Sequence, residues 1–111
     1  MTNTTQTSSI PVSIFTGENY DYWSIKMKTL FCSQDLWDIV EGLIAPRYTS
    51  TLTETQKKEL KVNKQKTSRA LYILQQVVDD VIFPRIIDAT NAKDAWSTLQ
   101  RSFRVVTRYV P

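Results

Sequence analysis

Residues 53–81, TETQKKELKVNKQKTSRALYILQQVVDDV, decide the fold class of this chain. Leu60, Asn63, Thr67, Leu71, Leu74, Val78 and Val81 recur at steps of three and four, with Ala70 and Val77 widening the stripe. That is the period of an α-helix and not of a strand. Thr53 with Gln56 three residues on fits a capping box, in which each side chain satisfies a free N–H at the helix start. The spacing predicts one long helix from Thr53 to about Asp79, polar in its first half and apolar in its second. Pro84 forces a break, because proline removes a backbone donor and crowds the preceding turn.

The same period continues on either side. Tyr20, Trp23, Met27, Leu30 and Phe31 form a stripe over residues 20–31, with Lys26 and Lys28 off it. A shorter helix is expected at 33–41, with Ser33 as its N-cap, Leu36, Trp37 and Val40 on one face and Gly42 ending it. Residues 43–51, which contain Pro46, read as a loop. The stretch 81–87 is too apolar to lie in solvent. Asn91, with Asp94 at the third position, caps a final helix bearing Ala95, Trp96, Leu99 and Phe103. Two glycines and four prolines in 111 residues leave few tight turns, which argues against an all-β chain. The expected fold is all-α, a small bundle of four to five helices around an aromatic core. The length suits one domain, placed at 13–103. Residues 1–9 are, after Met1, all Thr, Ser, Asn and Gln, which predicts a flexible tail, placed at 1–12. The conformation of 104–111 is left open by its β-branched content.

Composition removes most chemistry. With no histidine, Ser-His-Asp and Cys-His nucleophile pairs and histidine metal ligands are all absent. One cysteine, Cys32, permits neither an intrachain disulfide nor a thiolate zinc site, and its apolar surroundings predict a buried or half-buried small hydrophobe. Two glycines far apart cannot cradle a phosphate. Of the carboxylates, Asp35 and Asp38 sit three apart and Asp79 and Asp80 are adjacent. Adjacent helical residues point about 100° apart and do not converge, and Asp35 is more simply a helix-start acid. No cofactor, metal or small-molecule substrate is expected, and the chain is read as not an enzyme. The N-terminus lacks a secretory pattern and no apolar run reaches about 20 residues, so a cytoplasmic or nuclear location without a membrane partner is expected.

The stretch Phe15-Thr16-Gly17-Glu18-Asn19-Tyr20-Asp21-Tyr22-Trp23 has its own logic. Gly17 can adopt a left-handed turn into the helix, Asn19 is placed as its N-cap, and Trp23 faces the core one turn in. The plain reading is an ordinary capped helix. The order Phe15-x-Gly17-x-Asn19-Tyr20-x-x-Trp23, then Met27 and Leu30, then Leu36-Trp37-x-x-Val40, resembles the opening of Gag polyproteins of plant copia-type LTR retrotransposons. The runs Ala70-Leu71-x-Ile73-Leu74, Ile82-Phe83-Pro84-Arg85-Ile86 and Ala92-Lys93-Asp94-Ala95-Trp96-x-x-Leu99 are similar to the block that follows in that family. The likeness spans roughly residues 14–103.

The resemblance implies part of a capsid-like N-terminal domain, a structural role in particle assembly, and as partners further copies of itself, other Gag chains and RNA. Family members continue through more helices and often reach a zinc knuckle. By that pattern this chain is truncated near Phe103, without a second lobe. Expected self-association surfaces are apolar residues left over near 81–87 or 105–110. A second expectation is sequence-independent nucleic-acid binding through Lys57, Lys58, Lys61, Lys64, Lys66 and Arg69, against which only Glu59 is acidic. No aromatic residue interleaves these charges, which wrap the helix, so a solvated helix face is the plainer account. A host interaction module derived from such a polyprotein would carry the same residues.

Overall fold

The computed structural model describes residues 13–42 and 51–104. The expected tail at 1–12, most of the 43–51 loop and the extension beyond Arg104 lie outside the described residues. Within them the chain forms α1 (Tyr20–Ser33), α2 (Trp37–Glu41), α3 (Glu54–Gln76), a 3-10 turn (Phe83–Arg85) and α4 (Ala92–Phe103). Among the described residues no strand forms, and Phe15 and Val78 make an isolated parallel bridge. The fold is all-α, as the spacing predicts.

The capping box of α3 is complete. Gln56 N–H donates to Thr53 Oγ1 at 3.1 Å, and Thr53 N–H donates to Gln56 Oε1 at 2.9 Å. The helix ends at Gln76, short of the expected Asp79. The N-terminal segment is the reason: Asp79 N–H, which a continuing helix would use, donates to Phe15 O at 3.1 Å, and Phe15 N–H donates to Val77 O at 2.7 Å. Just beyond, Asp79 Oδ1 accepts from the N–H groups of Val81 at 3.1 Å and Ile82 at 3.0 Å, a local turn. Pro84 then sits in the first turn of the 3-10 segment, where its missing N–H costs nothing. At α4 the cap is reciprocal: Asp94 N–H donates to Asn91 Oδ1 at 2.9 Å, and Asn91 Nδ2 donates to Asp94 Oδ2 at 3.1 Å.

Three local expectations are corrected. Ser33 does not cap α2; it is the last residue of α1. The helix closes with two bonds, Asp35 N–H to Cys32 O at 3.2 Å and Leu36 N–H to Phe31 O at 2.8 Å. This is the Schellman pattern, normally built on glycine, and here Asp35 takes the left-handed conformation at φ 60. Phe31 and Leu36, joined by that bond, are both buried. Asp35 therefore follows a helix end and does not begin one. Asn19 holds the N-cap position of α1 at φ 56, and its side chain makes no capping bond. Capping needs extended backbone at that residue, and a left-handed one turns the amide away from the free N–H groups. The third correction is Cys32, which is exposed. Gly42, by contrast, ends α2 at φ 80 as expected, and a Cβ there would collide with the Lys93 side chain.

The core is an aromatic ladder. Phe15 stacks on Trp23 at 4.6 Å, Trp23 stacks on Trp96 at 5.8 Å, and Trp37 meets Trp96 edge-on at 5.6 Å. The ladder joins the segment before α1 to α1, α2 and α4. Tyr20, Met27, Leu74 and Leu99 are buried beside it, while Leu30, Trp37 and Leu71 are half-buried against it. Helix α3 joins through smaller contacts, Ala70 and Leu74, and through Thr67 Oγ1, which accepts from Ala92 N–H at 3.0 Å. The 81–87 stretch divides. Ile82 and Ile86 are buried, whereas Val81 and Ile87 are 78% and 57% exposed, so the expectation that the whole stretch leaves solvent is corrected. Leu60 lies on the predicted apolar stripe of α3 and is also exposed.

Candidate functional site

Two outward faces remain once the core is assigned. The first is built on the clamp that holds Phe15. Phe15 N–H donates to Val77 O at 2.7 Å, and Asp79 N–H donates to Phe15 O at 3.1 Å, which ties the N-terminal segment to the exit of α3. Successive side chains of an extended segment point to opposite sides. With Phe15 in the core, Ile14 is turned outward and is 51% exposed. It lines one cleft of about 250 Å³ with Glu18, Tyr22 and Lys26. Tyr22, with Glu18 and Asn19, also borders a second opening lined by Gly17, Tyr20 and Phe103. Tyr22 is 73% exposed and Ile25, one turn on, is 64% exposed.

Beneath this face, Tyr20 and Trp23 are buried, and neither the phenol oxygen of Tyr20 nor Nε1 of Trp23 has a hydrogen-bond partner among the described residues. Burial pushes the Tyr20 phenol up to about 12; Arg104 pulls it down and Asp21 adds a smaller upward push. The phenol therefore stays protonated through the physiological range.

The second face is the solvent side of α3. Ala70 and Leu74 mark its core side. At about 100° per residue, Lys57, Lys58, Lys61 and Lys64 fall on the opposite side, and so does Tyr72. All five are exposed. Lys66 and Arg69, the other two basic residues of this stretch, turn toward the α1–α2 corner. Lys66 Nζ lies 3.4 Å from Asp38 and 3.7 Å from Asp35, and Arg69 donates to Gln34 Oε1 at 3.1 Å. The Asp35/Asp38 pair thus converges on a lysine, an arrangement that neutralises charge. Lys57 has an exposed pair with Glu54 at 3.7 Å, which is worth little in solvent.

The sequence reading missed Ile14, Tyr22, Ile25 and Tyr72. Tyr22 and Ile25 are large apolar residues off the stripe of α1, and that mismatch was a usable signal. Tyr72 lies eleven residues after Lys61, three helical turns, which places both on one side. Among the described residues, no group of three or more Asp, Glu, Cys or His side chains could hold a metal ion. No helix among them is long and apolar enough to cross a membrane.

Residues 27–109 match the family described as gag-polypeptide of LTR copia-type. The match begins inside α1, after the Phe15–Trp23 motif, and it runs on past Phe103, where the likeness was expected to stop. No curated protein and no solved structure matches the chain.

Proposed function

The chain belongs to the copia-type LTR gag-polypeptide family, and from that premise we propose that it is a structural, non-catalytic domain that works by associating with further copies of itself. The observation that carries this reading is the outer face of α1. Ile14, Tyr22 and Ile25 stay exposed after every element of the core has been packed. Large apolar side chains grouped on a surface favour burial against a partner, because removing them from water stabilises the contact by roughly 25 cal/mol per Å². Of the surfaces expected from sequence, the 81–87 stretch keeps Val81 and Ile87 outside while Ile82 and Ile86 are used inside, and residues 105–110 lie outside the described residues. Light scattering over a concentration series tests this. The apparent mass of the wild type rises with concentration, and that of the double variant Tyr22→Ser, Ile25→Ser does not. A wild type that remains monomeric at the highest soluble concentration sinks the reading.

A second reading, nucleic-acid binding by α3, is favoured by the grouping of Lys57, Lys58, Lys61 and Lys64 on the side that carries Tyr72. Four lysines can track phosphates without reading sequence, and an exposed aromatic ring can stack on an unpaired base. Binding to single-stranded RNA should weaken steeply with salt, and changing the four lysines to Gln should flatten that slope by about three. An unchanged slope removes this reading.

A further inference from the structure

We propose that the α1 helices of two copies pack antiparallel about a two-fold axis at Tyr22, with Glu18 of each copy against Lys26 of the other. The inference rests on the self-association reading and gives it a geometry. Glu18, Tyr22 and Lys26 line the same cleft, together with Ile14. Lys26 follows Tyr22 by one helical turn, about 6 Å along the axis. Glu18 precedes Tyr22 by the same number of residues, in the turn that leads into α1. The face therefore has an acid at one end, a base at the other and an apolar centre.

Such a face complements its own copy when that copy is turned end for end. A parallel arrangement sets Glu18 on Glu18 and Lys26 on Lys26, which repels. The antiparallel one sets Glu18 on Lys26 twice, and because each patch meets its own equivalent, the pair closes as a dimer instead of growing as a filament. Neither Glu18 nor Lys26 has an ion-pair partner among the described residues, so both charges are available. Tyr22, exposed and bordering both openings, provides the central contact, and Ile25 extends it.

Charge exchange on the full chain, followed by analytical ultracentrifugation at low salt, tests the register. Glu18→Lys alone and Lys26→Glu alone should each weaken the dimer by about tenfold, because each places like charges together twice. The double variant Glu18→Lys, Lys26→Glu keeps the net charge and should recover wild-type affinity to within about threefold. A mixture of the two single variants should form a heterodimer tighter than either homodimer. Both positions are exposed, so thermal melts by circular dichroism should agree across the set and exclude misfolding as the cause. If the single variants dimerise like the wild type, or the double variant fails to recover, the antiparallel register is overturned while self-association stands. If the wild type does not dimerise at all, both fall.

Discussion

Helix α1 has 14 residues and buries Tyr20, Trp23, Met27 and Phe31; helix α3 has 23 residues and buries only Ala70 and Leu74. The shorter helix is the anchor. Its inner face is aromatic and meets Phe15 through Trp23 and Trp96 of α4 through Trp23 and Phe31, whereas α3 packs on α2 and α4 mainly along its second half. Length measures how far a helix extends, and buried area measures how firmly it is held. The difference also sorts the outward faces: α1, fixed on the core, presents an apolar ridge, and α3 presents lysines.

The largest test of this contrast is Trp23→Ala. Removing a ring stacked between Phe15 and Trp96 should cost roughly 3–5 kcal/mol, much of the stability of a domain this size. Chemical denaturation should show the chain largely unfolded or close to it, and a midpoint near wild type would break the claim that α1 anchors the fold.

Alkaline titration gives the next effect. The Tyr20 phenol is raised in the folded chain to about 12 from its ordinary 10.0, so the unfolded chain loses its proton first. Stability linked to this group is fully present below pH 10.0 and is lost as pH climbs toward about 12. Tyr20→Phe removes that loss, and because the buried hydroxyl lacks a partner among the described residues it should cost under about 1 kcal/mol at neutral pH. Denaturation midpoints at pH 8 and 11 compare the two proteins; an equal alkaline decline in both would contradict the burial of this ring.

A smaller change is expected at the end of α1. Asp35→Gly relieves a left-handed non-glycine residue and forfeits one exposed contact with Lys66, so it should stabilise by up to about 1 kcal/mol. A rise in melting temperature checks it, and a clear fall would show that the Lys66 contact outweighs the backbone strain. The smallest effect belongs to α3. Leu60→Ala, on its exposed first half, should change stability by less than about 0.5 kcal/mol. A loss comparable to that of Trp23→Ala would erase the distinction between the two helices.

The sequence made the helices legible because their apolar residues repeat at the helical period and their caps at Thr53, Asn91 and Gly42 have recognisable chemistry. It misled where one side chain took another's part. Asp35 performs a glycine's task, which no residue type announces, so the end of α1 was read as the start of α2. Phe15 pairs with the backbone of Val77 and Asp79, a tertiary contact that ends α3 early. The apolar stripe of α3 was legible as a direction but not as a depth: Leu60 and Leu74 share it, yet only Leu74 is covered. The basic run was legible as charge. Its division into four outward lysines and two inward partners depends on Gln34, Asp35 and Asp38, whose approach is tertiary. Tyr22 and Ile25 lie off the buried stripe of α1, and helical period alone does not say what covers an apolar residue off the stripe.

The ring of Phe15 lies edge-on to that of Phe103 at 5.1 Å. The two ends of the described residues thus meet at one pole. Threaded into a longer polymer, the module would be loaded at that one place. Tension drawn through both connections would load the Phe15–Phe103 seam before the helices, so under pulling this domain should open by unzipping from its tether.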